Sequence, residues 1–198
     1  MTKSEMIEAG VAHELVQKAM AVLLPSMFPI DPRFGQNRTP EIAAGLMVQE
    51  VLRHLSRGAD LFGSRVMEVG TGSGYVTALL RYVLPHEAVL TSVERIHDLH
   101  VQAVDNLAKA RAYNSAIATY YGDVNDLIEG NTYDVILLTC GAPRQWAESF
   151  LAYAPTVIGP VGNTPNEMML GTLIRTSPPT WNPMCAVPGA NPLKRGTE

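Results

Sequence analysis

Up to about residue 60, apolar positions along this chain recur every three or four residues; beyond it they come in short runs. Ile7, Val11, Leu15, Ala19 and Leu23 follow Ser4 at helical spacing and predict one helix that Pro25 ends. Pro25, Pro29, Pro32 and Pro40 interrupt residues 25–40, where no periodicity is visible, so that stretch reads as an ordered loop. Thr39 then supplies a hydroxyl cap and Pro40 a residue suited to the first helical position. Ile42, Leu46, Met47, Val51 and Leu55 carry the resulting helix to about Ser56.

From Arg65 short apolar runs alternate with amphipathic stretches. Val66–Val69, Ala88–Val93, Ile117–Tyr121 and Tyr133–Thr139 read as strands. Helices are expected from about Gly74 and from about Asp98 to Ala112. Strands alternating with helices predict parallel βαβ units, hence an α/β fold with a doubly wound, mostly parallel sheet. Trp146–Tyr153 looks helical and Thr156–Val161 looks like a further strand, whereas Pro178, Pro179, Pro183, Pro188 and Pro192 leave the tail after Thr176 unassigned.

Composition narrows the partners. With 198 residues the chain suits one compact domain. A formal charge of −4 gives no support for a partner held through its phosphates, which disfavours nucleic acid. Cys140 and Cys185 stand far apart, without the spacing of a zinc site or a disulfide framework, and no metal is expected. No apolar run approaches membrane-spanning length and no secretory leader is visible, so a cytoplasmic setting is the expectation.

The strongest local signal is Val66-Met67-Glu68-Val69-Gly70-Thr71-Gly72-Ser73-Gly74: a buried strand, an acid and three alternating glycines before a helix. Glycines let the backbone turn sharply and let a ligand approach it closely. The helix start beyond offers N–H groups to a carboxylate, and Glu68 can attract a cationic group. A dinucleotide site would want its third glycine at position 75, where Tyr75 stands. Glu94 ends the second strand, and a carboxylate at that distance from a glycine turn can accept both hydroxyls of a ribose. Asp123 ends the third strand and can accept from an adenine amino group. Taken singly, Glu94 is also a plain solvated charge and Gly122-Asp123 a plain turn. Three acids at three successive strand ends make a stronger pattern, because open parallel sheets bind ligands along that edge.

Here the chain resembles the protein-L-isoaspartate O-methyltransferase family, over most of its length. Glu68-Val69-Gly70-Thr71-Gly72-Ser73-Gly74-Tyr75 is similar to that family's first cofactor motif, Ser92-Val93-Glu94-Arg95-Ile96 to its second-strand motif, and Gly122-Asp123 to its adenine motif. Tyr133–Thr139 with Ala142-Pro143 is similar to its fourth-strand segment. Upstream, Phe34-Gly35-Gln36-Asn37-Arg38-Thr39-Pro40 resembles the Gly-Gln-Thr-Ile-Ser loop that lines the family's substrate pocket; downstream, Pro160-Val161-Gly162 and Asn166-Glu167-Met168 resemble its C-terminal segment.

The resemblance implies a Rossmann-like class I methyltransferase fold over residues 1–198. Residues 1–60 would form N-terminal helices and a substrate loop, 61–162 the cofactor core and 163–198 a C-terminal segment. It implies S-adenosylmethionine as cofactor and methylation of the α-carboxylate of isoaspartyl residues in proteins or peptides. It adds Arg95, Val124 and Thr139 to the cofactor set of Glu68, Gly70, Thr71, Gly72, Ser73, Gly74, Glu94 and Asp123. An ionised carboxylate needs no general base, so the acceptor side needs donors that orient it. Thr39 or Arg38 is the candidate, and Thr39 is also readable as a helix cap, one hydroxyl being able to serve both purposes.

Two departures bear on specificity. The loop reads Asn37-Arg38-Thr39 with one residue fewer before Pro40, and Leu151-Ala152-Tyr153-Ala154-Pro155 replaces the family's Lys-Pro-Gly-Gly turn. Another methyl acceptor (a specialised peptide, a small molecule or RNA) and a non-catalytic cofactor-binding relative are the alternatives. His13, His54, His86, His97 and His100 lack metal spacing and read as exposed. Cys140, Trp146 and Tyr153 read as packing residues.

Overall fold

The computed structural model describes residues 1–34, 39–58, 61–112 and 117–187. Two helices, α1 (Lys3–Glu8) and α2 (Glu14–Val22), occupy the stretch expected to hold one. The break is at Gly10, whose φ of +91° is left-handed and lets Val11 N–H turn back to the Met6 carbonyl at 2.8 Å. The break re-aims the second segment. Val11, Ala19 and Leu23 are buried, but Ile7 and Leu15 face solvent while Met6, Val16 and Met20 face the core.

Short 3-10 turns at Pro25–Met27 and Pro32–Phe34 follow. Helix α3 spans Glu41–Gly58, two residues beyond the expected end. Ala44 N–H donates to the Pro40 carbonyl at 2.9 Å, so Pro40 takes the capping position that the sequence suggested for Thr39. Proline's fixed φ suits either place.

Strands β1 (Arg65–Val69), β2 (Val89–Glu94), β3 (Ile117–Tyr121), β4 (Val135–Leu138) and β5 (Thr156–Val161) lie within three residues of their expected bounds. Helices α4 (Tyr75–Val83), α5 (His97–Lys109), α6 (Val124–Ile128) and α7 (Arg144–Ser149) connect them. The five strands pair in parallel in the order β3-β2-β1-β4-β5. Antiparallel β6 (Met169–Ile174) and β7 (Thr180–Ala186) complete a seven-stranded sheet beyond β5. The sheet is thus mostly parallel and doubly wound, and the unassigned tail supplies its far edge. Pro183 is tolerated there because an edge strand leaves half its N–H positions unpaired; it sits opposite Gly171, at the strand's register shift.

Both sheet faces are covered, as parallel strands require. Val66, Leu90, Val135, Leu137 and Ile158 pack with α2, α3 and α4, while Met67, Val69, Ile136, Leu138 and Val157 pack with α6 and α7. Alternation along β1 therefore sends Glu68 to the face that α4 covers. The strand order reverses between β1 and β4, and at the carboxyl ends of such a pair an open parallel sheet forms its ligand crevice. No helix among the described residues is long and apolar enough to cross a membrane.

Candidate active site

The turn leaving β1 is held by specific bonds, and its three glycines have different neighbours. Gly70 and Thr71 N–H both donate to the Val93 carbonyl, at 2.8 and 3.2 Å, which ties the turn to β2. All three glycines have left-handed φ: +96° at Gly70, +55° at Gly72 and +84° at Gly74. A Cβ on Gly70 would lie 2.7 Å from Thr139 Oγ1, and one on Gly74 would lie 3.0 Å from Leu107 Cγ and 3.3 Å from the Ala103 carbonyl. A Cβ on Gly72 would meet nothing within 4 Å. Two glycines thus admit neighbouring elements, and Gly72 faces open space.

Beneath the turn Glu68 is fully buried. Its Oε2 accepts from Thr77 Oγ1 at 2.5 Å and Ser92 Oγ at 2.6 Å, and Ser92 Oγ lies 2.6 Å from Thr71 Oγ1. Glu68 Oε1 is buried without a hydrogen-bond partner. Burial pushes the Glu68 carboxyl up to about 7; the Ser92 and Thr77 hydroxyls oppose that rise and the Glu94 charge adds to it. A buried carboxylate oxygen with no donor is costly alone, and a cation or N–H placed beside it removes the cost.

Glu94 braces the turn from β2. Its Oε2 accepts from Gly72 N–H at 2.9 Å and its Oε1 from Ile96 N–H at 3.0 Å. Each oxygen retains a lone pair for a ligand. Gly122 N–H donates to the Glu94 carbonyl at 3.0 Å, which carries the row on to β3. Asp123 follows as the N-cap of α6: its Oδ1 accepts from Asn125 N–H at 2.8 Å and Asn125 Nδ2 at 2.7 Å. Val124 behind it is buried and Arg95 is half-buried. On the other side Thr139 Oγ1 donates towards the Val69 carbonyl, at 3.0 Å, and the Gly70 carbonyl. Ser73 Oγ turns inward to accept from Tyr75 N–H at 3.3 Å.

The structure brings Glu68, Gly70, Thr71, Gly72, Glu94 and Thr139 into one bonded cluster at the β1–β4 crevice, with Asp123 beside Glu94. Thr71 and Ser73 are buried. Thr39 is half-buried at the entrance to α3; Arg38 lies outside the described residues. Sequence reasoning missed Thr77 and Ser92, which hold Glu68. Ser92 stands opposite Glu68 in the β1–β2 register, a relation visible only once the two strands are paired.

Two histidines are not exposed as expected. The His54 side chain is only 11% exposed against Glu50, and His100 Nδ1 is buried; each sits on the inward side of its helix. Cys140 packs with Sγ 3.7 Å from the Val69 carbonyl, where burial and then the Glu94 charge push its thiol far up. A raised thiol stays protonated, which disfavours a nucleophilic role and agrees with packing. Trp146 packs edge-on to Phe150, with ring centroids 4.5 Å apart.

A glycine turn at the switch point of a β3-β2-β1-β4-β5 sheet, flanked by acids at successive strand ends, is the class I methyltransferase architecture. Within that class the chain belongs to the protein-L-isoaspartate(D-aspartate) O-methyltransferase family, whose profile matches residues 31–175. A Shewanella pealeana protein-L-isoaspartate O-methyltransferase is 30% identical over 172 residues, covering 82% of this chain and 79% of that protein. Its counterpart from Methanococcus vannielii is 32% identical over 133 residues, 67% of this chain and 59% of that one. The Burkholderia mallei relative is 29% identical over 184 residues, and this chain spans 55% of its length. The chain thus spans between about half and four fifths of the curated relatives it matches.

Among solved structures, a Plasmodium falciparum protein described as a protein-L-isoaspartate O-methyltransferase, crystallised with S-adenosyl-L-homocysteine, superposes with a TM-score of 0.74. The match covers 97% of this chain and 96% of that one at 14% identity. A second protein-L-isoaspartate O-methyltransferase gives 0.65 at 18% identity, covering 95% of this chain and 65% of that one. At such identities the likeness is one of fold.

Proposed function

We propose that this chain is an S-adenosylmethionine-dependent methyltransferase acting on the α-carboxylate of L-isoaspartyl residues in damaged proteins or peptides, as a repair enzyme in a cytoplasmic setting. The observation that carries this reading is the family match, which takes in the proline-rich loop from residue 31, the glycine turn and the sheet through residue 175.

The site fits the cofactor on two counts. Open space at Gly72 leaves room for a ligand against the backbone, and the unpartnered Glu68 Oε1 suits an ammonium or N–H donor. Gly70, Thr71, Gly72, Ser73 and Gly74 shape the bed, with Glu94 towards the ribose hydroxyls and Asp123 towards the adenine amino group. Val124, Arg95 and Thr139 would complete the residues that hold the cofactor. Bound there, S-adenosylmethionine supplies an electrophilic methyl group, and breaking its carbon–sulfur bond leaves the thioether with the electron pair.

The chain's own contribution is placement. The acceptor carboxylate is ionised at neutral pH and needs no base. Thr39, or Arg38 next to it in the sequence, would orient it in line with the methyl group. Exclusion of water protects the ester and strengthens the electrostatics. Such chemistry requires neither a catalytic triad nor a metal.

Labelled S-adenosylmethionine offered with an isoaspartyl peptide and its aspartyl twin tests the reading. Base-labile label on the isoaspartyl peptide alone is expected. Cofactor binding with neither peptide labelled would shift the reading to another acceptor, for which the altered Asn37-Arg38-Thr39 loop is the motive, or to a non-catalytic relative. Failure to bind cofactor would overturn it altogether.

A further inference from the structure

Helix α5 carries a buried asparagine that the cofactor motifs do not include. Asn106 is 3% exposed, and asparagine is a poor residue for a helix interior. Both of its amide hydrogens are used off the helix: Nδ2 donates to the Ser73 carbonyl at 2.9 Å and the Pro29 carbonyl at 3.0 Å. One acceptor belongs to the glycine turn and the other to the proline-rich segment leading towards Thr39.

Neighbouring contacts reinforce the bridge. One turn earlier on α5, Gln102 Oε1 accepts from Asp31 N–H at 3.2 Å. The fully buried Phe28 ring lies 5.6 Å from the ring of Tyr75, the first residue of α4. Gly74 lets Leu107 and the Ala103 carbonyl approach the turn directly, so α5 touches the glycine turn and the segment leading towards Thr39 at once. A leucine at 106 would fill the volume but take this donor from both carbonyls. A buried amide with two donors is the group that satisfies both.

We infer that Asn106 is a positioning residue that locks the segment Phe28–Asp31 to the glycine turn and so sets the distance between methyl donor and acceptor; this rests on the methyltransferase reading above. In-line transfer tolerates little misplacement, and a shift of about 1 Å can cost roughly 100-fold in rate. Binding at the turn and order at the acceptor segment are then coupled through one side chain.

Hydrogen exchange with S-adenosylhomocysteine as probe tests the coupling without turnover. In the unmodified chain, saturating ligand should slow exchange of the Asp31 amide at least 10-fold; in Asn106→Ala it should leave that amide within 2-fold of its ligand-free rate. With an isoaspartyl peptide, kcat per cofactor-binding site should fall 10- to 100-fold while ligand affinity changes less than about 5-fold. Equal Asp31 protection in both proteins, or a lowered Tm with unchanged kcat per site, would reduce Asn106 to a packing residue. If Asn106→Ala does not fold, the half-buried Gln102 decides. Gln102→Ala should uncouple Asp31 and lower kcat about 3- to 10-fold, Gln102→Glu, which keeps the acceptor, should restore both, and no effect of either overturns the inference. Absence of isoaspartyl methylation in the unmodified chain would instead remove the proposed function on which the inference rests.

Discussion

Gly72 N–H donates to Glu94 Oε2 at 2.9 Å, joining the apex of the first turn to the end of the second strand. The same carboxylate holds Ile96 N–H at 3.0 Å, so Glu94 shapes the turn whether or not a ligand is bound. Glu94→Ala should strand both donors, lower stability by about 1–3 kcal/mol and weaken S-adenosylhomocysteine binding at least 10-fold. Thermal melts and calorimetry read the two effects separately. Lower stability with unchanged affinity would make Glu94 a brace and nothing more.

The glycines of the turn should respond differently. Gly72→Ala adds a methyl group to open space at φ +55°, a strain of roughly 1–2 kcal/mol, and the protein should fold. The methyl group would occupy the ligand's approach, so binding should drop more than 10-fold. Gly74→Ala drives a methyl group against Leu107 at 3.0 Å, and its main effect should be a lowered Tm. A Gly72→Ala protein that binds as before would show that the ligand lies elsewhere.

Glu68 makes stability depend on pH in an unusual sense. Its folded pKa, about 7, lies above the ordinary value of 4.5, so the folded state holds the proton more tightly than the unfolded state does. Its contribution is complete below pH 4.5 and is lost as pH rises through 7, a loss on the order of 3 kcal/mol. Glu68→Gln should therefore melt progressively higher than the unsubstituted chain as pH rises from 5 to 8, yet bind S-adenosylhomocysteine more weakly at pH 8. A constant Tm difference across that range would contradict a protonated Glu68.

Asp123 combines two roles that substitution can part. Asp123→Ala removes the α6 cap, at about 1 kcal/mol, together with the acceptor assigned to adenine. Asp123→Asn can keep the cap through Oδ1 while replacing the oxygen that the cap does not use. Calorimetry should show weakened binding for both variants, and a Tm loss chiefly for alanine. Unchanged affinity in both would take Asp123 out of the site.

Much of the parallel sheet was legible because fully buried strands demand continuous apolar runs, and Val66–Val69 or Val135–Leu138 have few other uses. The three acids and the glycine turn were legible for a related reason: their spacing along the chain follows from one βαβ repeat. Legibility stopped where a short feature decides a direction. Gly10 splits the N-terminal helix with one left-handed residue, and α6 is five residues long, too short for a periodic signal. The prolines after Thr176 left that stretch unassigned because nothing local says that β7 is an edge.

By itself the sequence determined the winding of the core, the place of the turn and the identity of the acids along it, since these depend on local spacing and burial. Only the tertiary structure decided what each of those residues touches. Ser92 and Thr77 converge on Glu68, Glu94 holds a backbone N–H on each oxygen, and Asn106 reaches two carbonyls from segments 44 residues apart in the chain. Such pairings arise when separate elements pack and leave a buried polar atom one partner within reach, and no spacing along the chain encodes that.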